Sequence, residues 1–201
     1  MPCNVSCVPL FPSSVFTLNV DDDFSKLLKL KEYNYKKQKI GHLCYSTLSK
    51  DVLNQFPKEK EKLQTYFDSV KDNILSFKNT KFNITTSWGT KCESGGYSQY
   101  HHHRNCMYSA IFYYDDCDDV GDLEFENFYR RDSFEIVPDS YNLHNSVEWK
   151  FTPVKNLLII FPSYLHHRIG YNPSQVNNRY SLALNFHPCG EYGRGDSSIS
   201  L

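Results

Sequence analysis

Long apolar runs, paired cysteines and net charge are what this sequence lacks. No stretch of its 201 residues approaches the roughly 20 apolar positions of a membrane-spanning helix. Its beginning, Met1-Pro2-Cys3-Asn4, shows no basic region followed by an apolar run, so no secretory signal is expected. The 7 cysteines are odd in number and scattered from Cys3 to Cys189 without a CxxC pair. That pattern points to reduced thiols in a cytoplasm, not to a disulfide framework. A formal charge of -1 gives no electrostatic reason to expect nucleic acid or an acidic membrane as a partner. Neither an internal repeat nor a linker is visible, so residues 1–201 are expected to form one domain.

What is present is aromatic and strand-like. The 15 Tyr and 14 Phe suit a β-rich chain whose large side chains line its sheets. Val15–Val20 alternates like a short strand. Asp21, Asp22 and Asp23 then offer caps for a helix through about Lys31. The basic, aromatic run Lys31–Lys39 is expected to be a solvated helix end or loop. Pro57 opens a second helix, and Leu63, Phe67, Val70 and Ile74 recur at helical spacing to about Phe77. From Phe82 onward short runs alternate with Gly, Asn, Asp and Pro: 83–88, 97–103, 109–114, 123–128, 134–137, 147–151, 156–161, 166–171 and 179–187. Strands this short and regular predict a sandwich or closed barrel. The Asp115–Asp119 run reads as a hairpin turn, because the glycine spacing of a calcium loop is absent.

Five of the 8 histidines occupy two places, His101-His102-His103 and His166-His167. Neutral imidazole is the most common ligand for a mid-row divalent metal. In an extended segment alternate side chains share a face, so His101 and His103 can point at one ion while His102 points away. A histidine on a later strand can complete a set of three if the sheet closes. Arg179 and Ser181 share one face of the last long run with Asn185, while Tyr180, Leu182, Leu184 and Phe186 face oppositely. A buried arginine beside a hydroxyl suits a carboxylate.

Taken in order, Trp88, Gly95-Gly96, His101-x-His103-x-Asn105-x-x-x-Ser109, Tyr113, Phe161-Pro162-Ser163-Tyr164-Leu165-His166-His167 and Arg179-Tyr180-Ser181-Leu182-Ala183-Leu184-Asn185-Phe186 resemble the iron(II)/2-oxoglutarate-dependent oxygenases. The nearest likeness is to a small group found in marine phages and bacteria, with segments HxHxN…SGxYY, FPSxLxH and RxSxxFN. The start, Pro9-Leu10-Phe11-Pro12, is similar too, so the resemblance spans nearly the whole chain. It implies an α+β, mainly β fold: a double-stranded β-helix (jelly-roll) over 81–201, with a strand and helices in 1–80 packed on one sheet. By position it implies His101, His103 and His167 as iron ligands, the alignment selecting His167 over His166. Arg179, helped by Ser181, would hold the far carboxylate of 2-oxoglutarate, with Tyr113 and Asn105 in the same pocket. The implied reaction is hydroxylation of a substrate with conversion of 2-oxoglutarate and O2 to succinate and CO2. Similarity of the group to prolyl hydroxylases favours a peptidyl substrate. A homodimer is compatible with this reading, as is a host cytoplasm if the chain is phage-encoded.

Two positions depart from the pattern. The wider superfamily carries a carboxylate where His103 stands, so an all-imidazole site leaves the metal more positive by one charge and open to zinc. Asp115 or Asp116 would have to loop back to supply the missing carboxylate. Ala110 stands where the group usually has glycine. Two other readings compete. Cupins also join an HxH strand to a later histidine in a jelly-roll, but expect a glutamate shortly after HxH, and 104–108 contain none. A jelly-roll binding or virion module would keep the fold without chemistry.

Overall fold

The computed structural model describes residues 11–128 and 136–200. Pro9 and Leu10, with Phe134 and Glu135 of the expected strand 134–137, lie outside the described residues. Ile136 and Val137 are exposed and outside regular structure.

After β1 (Phe16–Asn19) comes a 3₁₀ helix, Ser25–Glu32, where a longer helix capped by the aspartates was expected. Asp23 does act at its start, its Oδ1 accepting the Ser25 N–H at 2.9 Å. The run 31–39 is corrected: it contains β2 (Tyr35–Lys37), which pairs with the likewise unexpected β3 (Gly41–Thr47). Helix α1 (Pro57–Asn73) starts at Pro57 and buries Leu63, Phe67 and Val70. It stops short of Phe77 because Ser76 adopts φ 59, letting Leu75 and Phe77 N–H turn back onto the Val70 and Lys71 carbonyls. Ile74, expected on the apolar face, is therefore 62% exposed.

The run 83–88 continues through Ser98 as one long strand, β4 (Lys81–Ser98), which ends before the histidines, so only Tyr97 and Ser98 of the expected strand 97–103 belong to it. There follow β5 (Tyr108–Phe112), β6 (Leu123–Glu126), β7 (Glu148–Phe151), β8 (Leu157–Pro162), β9 (His166–Ile169) and β10 (Arg179–Cys189). A small hairpin, β11 (Glu191–Tyr192) and β12 (Ile199–Ser200), ends the described chain.

Seven strands form the large sheet in the order β1-β8-β5-β10-β4-β3-β2, and three form the small one, β7-β6-β9. All named pairings are antiparallel. The large sheet is covered on both faces, which explains why β5 and β8 up to Phe161 are buried without alternation. Its outer face packs on α1 and the 3₁₀ helix through Leu27, Leu30, Leu63, Phe67, Leu182 and Phe186. Its inner face meets the small sheet through Ile111, Tyr113, Phe125, Ile159, Phe161 and Ala183. The expected double-stranded β-helix with helices on one sheet is what forms.

Candidate metal and cosubstrate site

The two sheets converge beyond the end of β4. There His101 pairs with His167 of β9 as an isolated antiparallel bridge, exchanging N–H···O bonds of 3.0 and 2.9 Å. His103 N–H donates to the Ser163 carbonyl at 3.0 Å, which fixes the second histidine of the HxH run against the turn before β9. Alternation then does what the sequence predicts. His101, His103 and His167 turn inward, their ligand-capable nitrogens all within 4.8 Å of one another. His102 and His166 face the other way and stack, ring centroids 5.1 Å apart.

Each of the three inward imidazoles has its Nδ1 engaged. Those of His101 and His167 donate to the carbonyls of Gln99 and Leu165, both at 2.9 Å. His103 Nδ1 lies 2.8 Å from Asn185 Oδ1 and 2.9 Å from Ser109 Oγ. The Ser109 hydroxyl donates to the same Asn185 oxygen at 2.9 Å and sits 2.8 Å from Ser163 Oγ. Asn185 Nδ2 donates to Thr86 at 2.9 Å, which orients its oxygen toward His103. A carbonyl accepts only from Nδ1–H, so Nε2 is left as the lone-pair nitrogen of each ring. Burial holds all three imidazoles below their ordinary pKa, His103 down to about 4 and His167 well below 6.5. They are neutral at pH 7, the form that binds a metal. This donor set fits a divalent cation.

The same cavity reaches Arg179 and Ser181 on β10, with Thr90 and Trp88 on its wall. Arg179 is 1% exposed, and no carboxylate pairs with it among the described residues. Its guanidinium donates to the Tyr113 hydroxyl at 2.5 Å and lies 5.0 Å from that ring's centre, while its Nε has no partner. A buried cation with an unfilled donor is costly unless an anion completes it. Ser181 Oγ is 2.6 Å from Thr90 Oγ1.

The structure therefore brings together His101, His103, His167, Arg179, Ser181 and Tyr113. It does not bring in Asn105, which sits exposed in the turn after the histidines at φ 59. Nor do the aspartates loop back: Asp115 pairs with Lys31 at 2.5 Å and Asp116 with Lys155 at 3.0 Å. Sequence reasoning placed Asn185 on the Arg179 face without giving it a role, and passed over Ser163 and Thr86. Asn185 was findable: it lies on that face and ends the last motif.

Two facing sheets with an imidazole cluster at one mouth and a buried guanidinium within define a jelly-roll of the metal-dependent oxygenase class. Residues 86–185 match the family model described as 2OG-Fe(II) oxygenase, and the chain belongs to that family. It is accordingly an Fe(II)- and 2-oxoglutarate-dependent enzyme. No curated protein sequence matches it. Among solved structures it is similar to a 2OG-Fe(II) oxygenase family oxidoreductase from Burkholderia pseudomallei, at 10% identity and TM-score 0.60, covering 86% of this chain and 84% of that one. HygX from Streptomyces hygroscopicus, with nickel, 2-oxoglutarate and hygromycin B bound, is 10% identical at TM-score 0.58, covering 88% and 83%. A Trichoplax adhaerens prolyl hydroxylase in complex with a hypoxia inducible factor peptide fragment is 13% identical at TM-score 0.54, covering 86% and 83%.

Proposed function

We propose that His101, His103 and His167 hold Fe(II) through Nε2, and that Arg179 grips the far carboxylate of 2-oxoglutarate. Ser181 and Tyr113 flank that carboxylate, and the whole chain acts as one catalytic domain. The observation that carries this reading is one cavity joining three neutral, Nδ1-anchored imidazoles to a buried guanidinium whose Nε lacks a partner. With iron and cosubstrate bound, the site supplies oxidative decarboxylation of 2-oxoglutarate by O2, giving succinate, CO2 and a hydroxylated substrate. The residues around it bind, orient and keep water out. Asn185 and Ser109 hold the His103 proton on Nδ1. Arg179 orients the diacid by its distal end. Ile111 and Leu123 give the cavity apolar walls, which suit chemistry that must be shielded from solvent.

The substrate is a peptidyl side chain, a reading favoured by the similarity to a prolyl hydroxylase that carries a bound peptide. No helix of the described chain is long and apolar enough to cross a membrane, and a cytoplasmic setting suits its free thiols. The deciding experiment is anaerobic addition of Fe(II) and 2-oxoglutarate, followed by visible absorption. A weak metal-to-ligand charge-transfer band is expected with the wild type, and its loss with Arg179→Ala. Metal binding without the band marks a cupin-like site instead. Succinate release screened against peptide and metabolite pools then tests the substrate class.

A further inference from the structure

Cys44 and Cys92, which the oxygenase chemistry leaves unused, are both fully buried and face each other directly across β3 and β4. Their sulfurs lie 2.6 Å apart. The next strand continues the row, with Arg179 of β10 paired to Cys92 of β4. Arginine, cysteine and cysteine thus stand abreast on the inner face of the large sheet. Two glycines make room for them. A Cβ at Gly96 would come within 2.7 Å of Cys92 Sγ, and one at Gly41 within 2.7 Å of Cys44 Cβ. The pair packs with Ile169, which itself lines the cosubstrate cavity beside Ser98. The thiols are therefore one side chain behind a wall that a water-sized molecule reaches.

We propose that Cys44 and Cys92 form a peroxide-reactive dithiol that sets how strongly Arg179 takes up 2-oxoglutarate. Cys92 is the attacking sulfur. Hydrogen bonding from the Cys44 thiol, together with the Arg179 charge, draws its pKa down against the opposing effect of burial, while Cys44 is raised. In the first step the Cys92 thiolate displaces hydroxide from hydrogen peroxide: an S–O bond forms, the O–O bond breaks, and Cys92 becomes a sulfenic acid. In the second, the Cys44 thiol attacks that sulfur: the S–S bond forms, the S–O bond breaks, and water leaves. Opposed residues on antiparallel strands are spaced as a disulfide requires. The Cys44–Cys92 bond ties β3 to the β4 position that pairs with Arg179 of β10, which fixes the guanidinium in place for the incoming carboxylate, so oxidation tightens 2-oxoglutarate binding.

The effect on 2-oxoglutarate rests on Arg179 being the carboxylate receptor. The test uses the full chain loaded with zinc, so that peroxide meets no iron. After peroxide treatment and non-reducing digestion, the Cys44 and Cys92 peptides are expected joined, and separable by dithiothreitol. Cys44→Ser should accumulate a dimedone-reactive sulfenic acid at Cys92, whereas Cys92→Ser should leave Cys44 unlabelled. Calorimetry should show 2-oxoglutarate binding about tenfold tighter to the oxidised protein, the scale of one contact to a charged group. Separate peptides, or labelling of Cys44 in Cys92→Ser, overturn the dithiol. Equal affinity in both redox states, with binding still lost in Arg179→Ala, overturns the coupling alone. Retained binding in Arg179→Ala overturns the receptor assignment and the coupling together.

Discussion

At the scale of single residues, imidazole stands at 103 where the resemblance to the wider superfamily implies a carboxylate, and the ligand role proposed for His103 leans on Asn185. Its oxygen accepts from His103 at 2.8 Å and its amide is itself oriented by Thr86 at 2.9 Å. Replacing Asn185 by Leu removes the carboxamide acceptor and leaves the Ser109 hydroxyl alone to hold the His103 proton, and is expected to weaken metal binding about 10- to 100-fold, as loss of a ligand's outer partner does. Asn185→Asp keeps an acceptor and should largely restore affinity. Titration with Co(II) under argon measures both, and equal affinities for Leu and wild type would remove Asn185 from the site. Arg179→Met keeps the bulk of the side chain but not its donors. It should raise the KM for 2-oxoglutarate by at least about 100-fold, the usual cost of a charged contact in a buried pocket, while leaving Co(II) affinity unchanged. Succinate assays at graded cosubstrate read this directly. The histidines were legible because period-two alternation is strict in an extended chain, so HxH can mean only one thing about faces. Asn105 misled because its place beside the HxH run says nothing about direction, and a positive φ turns it outward.

At the scale of elements, legibility followed how much of a signal is local. Helix α1 was visible from Pro57 and its apolar spacing, but its end depends on a left-handed Ser76 that no spacing announces. Strands β2 and β3 were missed because Tyr35–Lys37 and Gly41–Thr47 carry lysines, glycine and histidine. Only the pairing of β3 with β4, and of β2 with β3, makes them strands. The small sheet shows what holds such elements. On its outer face Glu124 stands between Lys150 of β7 and Arg168 of β9, with contacts of 2.9 and 2.6 Å. Gly170 leaves room for it, since a Cβ there would meet the carboxylate at 2.8 Å. Burial alone would raise the Glu124 pKa, but hydrogen bonds from Lys150 and Arg168 outweigh it and hold the carboxyl below 4.5. A carboxyl depressed in the folded state stabilises above its unfolded pKa, and that contribution is lost as pH falls through the folded value. Glu124→Gln should therefore cost about 1–2 kcal/mol at pH 7, with the gap to wild type closing as pH falls below about 4.5. Urea denaturation at pH 7 and pH 4 checks this. A gap that does not depend on pH would mean that packing, not charge, is what Glu124 provides.

At the scale of the whole molecule, the sequence reading gained most from order and least from local pattern. His101, His103, His167 and Arg179 come from different parts of the chain, and only a jelly-roll that returns its late strands beside its early ones unites them. No periodicity predicts that return; the ordered motifs did. The large sheet is buttressed from outside by α1, where Phe67 stacks on Phe186 at 3.9 Å and 10°. The metal end is held largely by backbone bonds across the His101–His167 bridge. Three neutral imidazoles bring their ligand-capable nitrogens together where one cation can join them, so this end of the barrel has the most to gain from its ligands. Binding only to the folded state adds about 2.7 kcal/mol at a ligand concentration 100 times Kd, which for a chain of this size raises Tm by about 5–10 °C. Zinc should give a shift of that order in scanning calorimetry, and 2-oxoglutarate a further one. His103→Ala should abolish the zinc shift, whereas Arg179→Met should abolish only the second. If zinc stabilises His103→Ala as much as wild type, the ion is bound elsewhere, and the three histidines lose their place as its ligands.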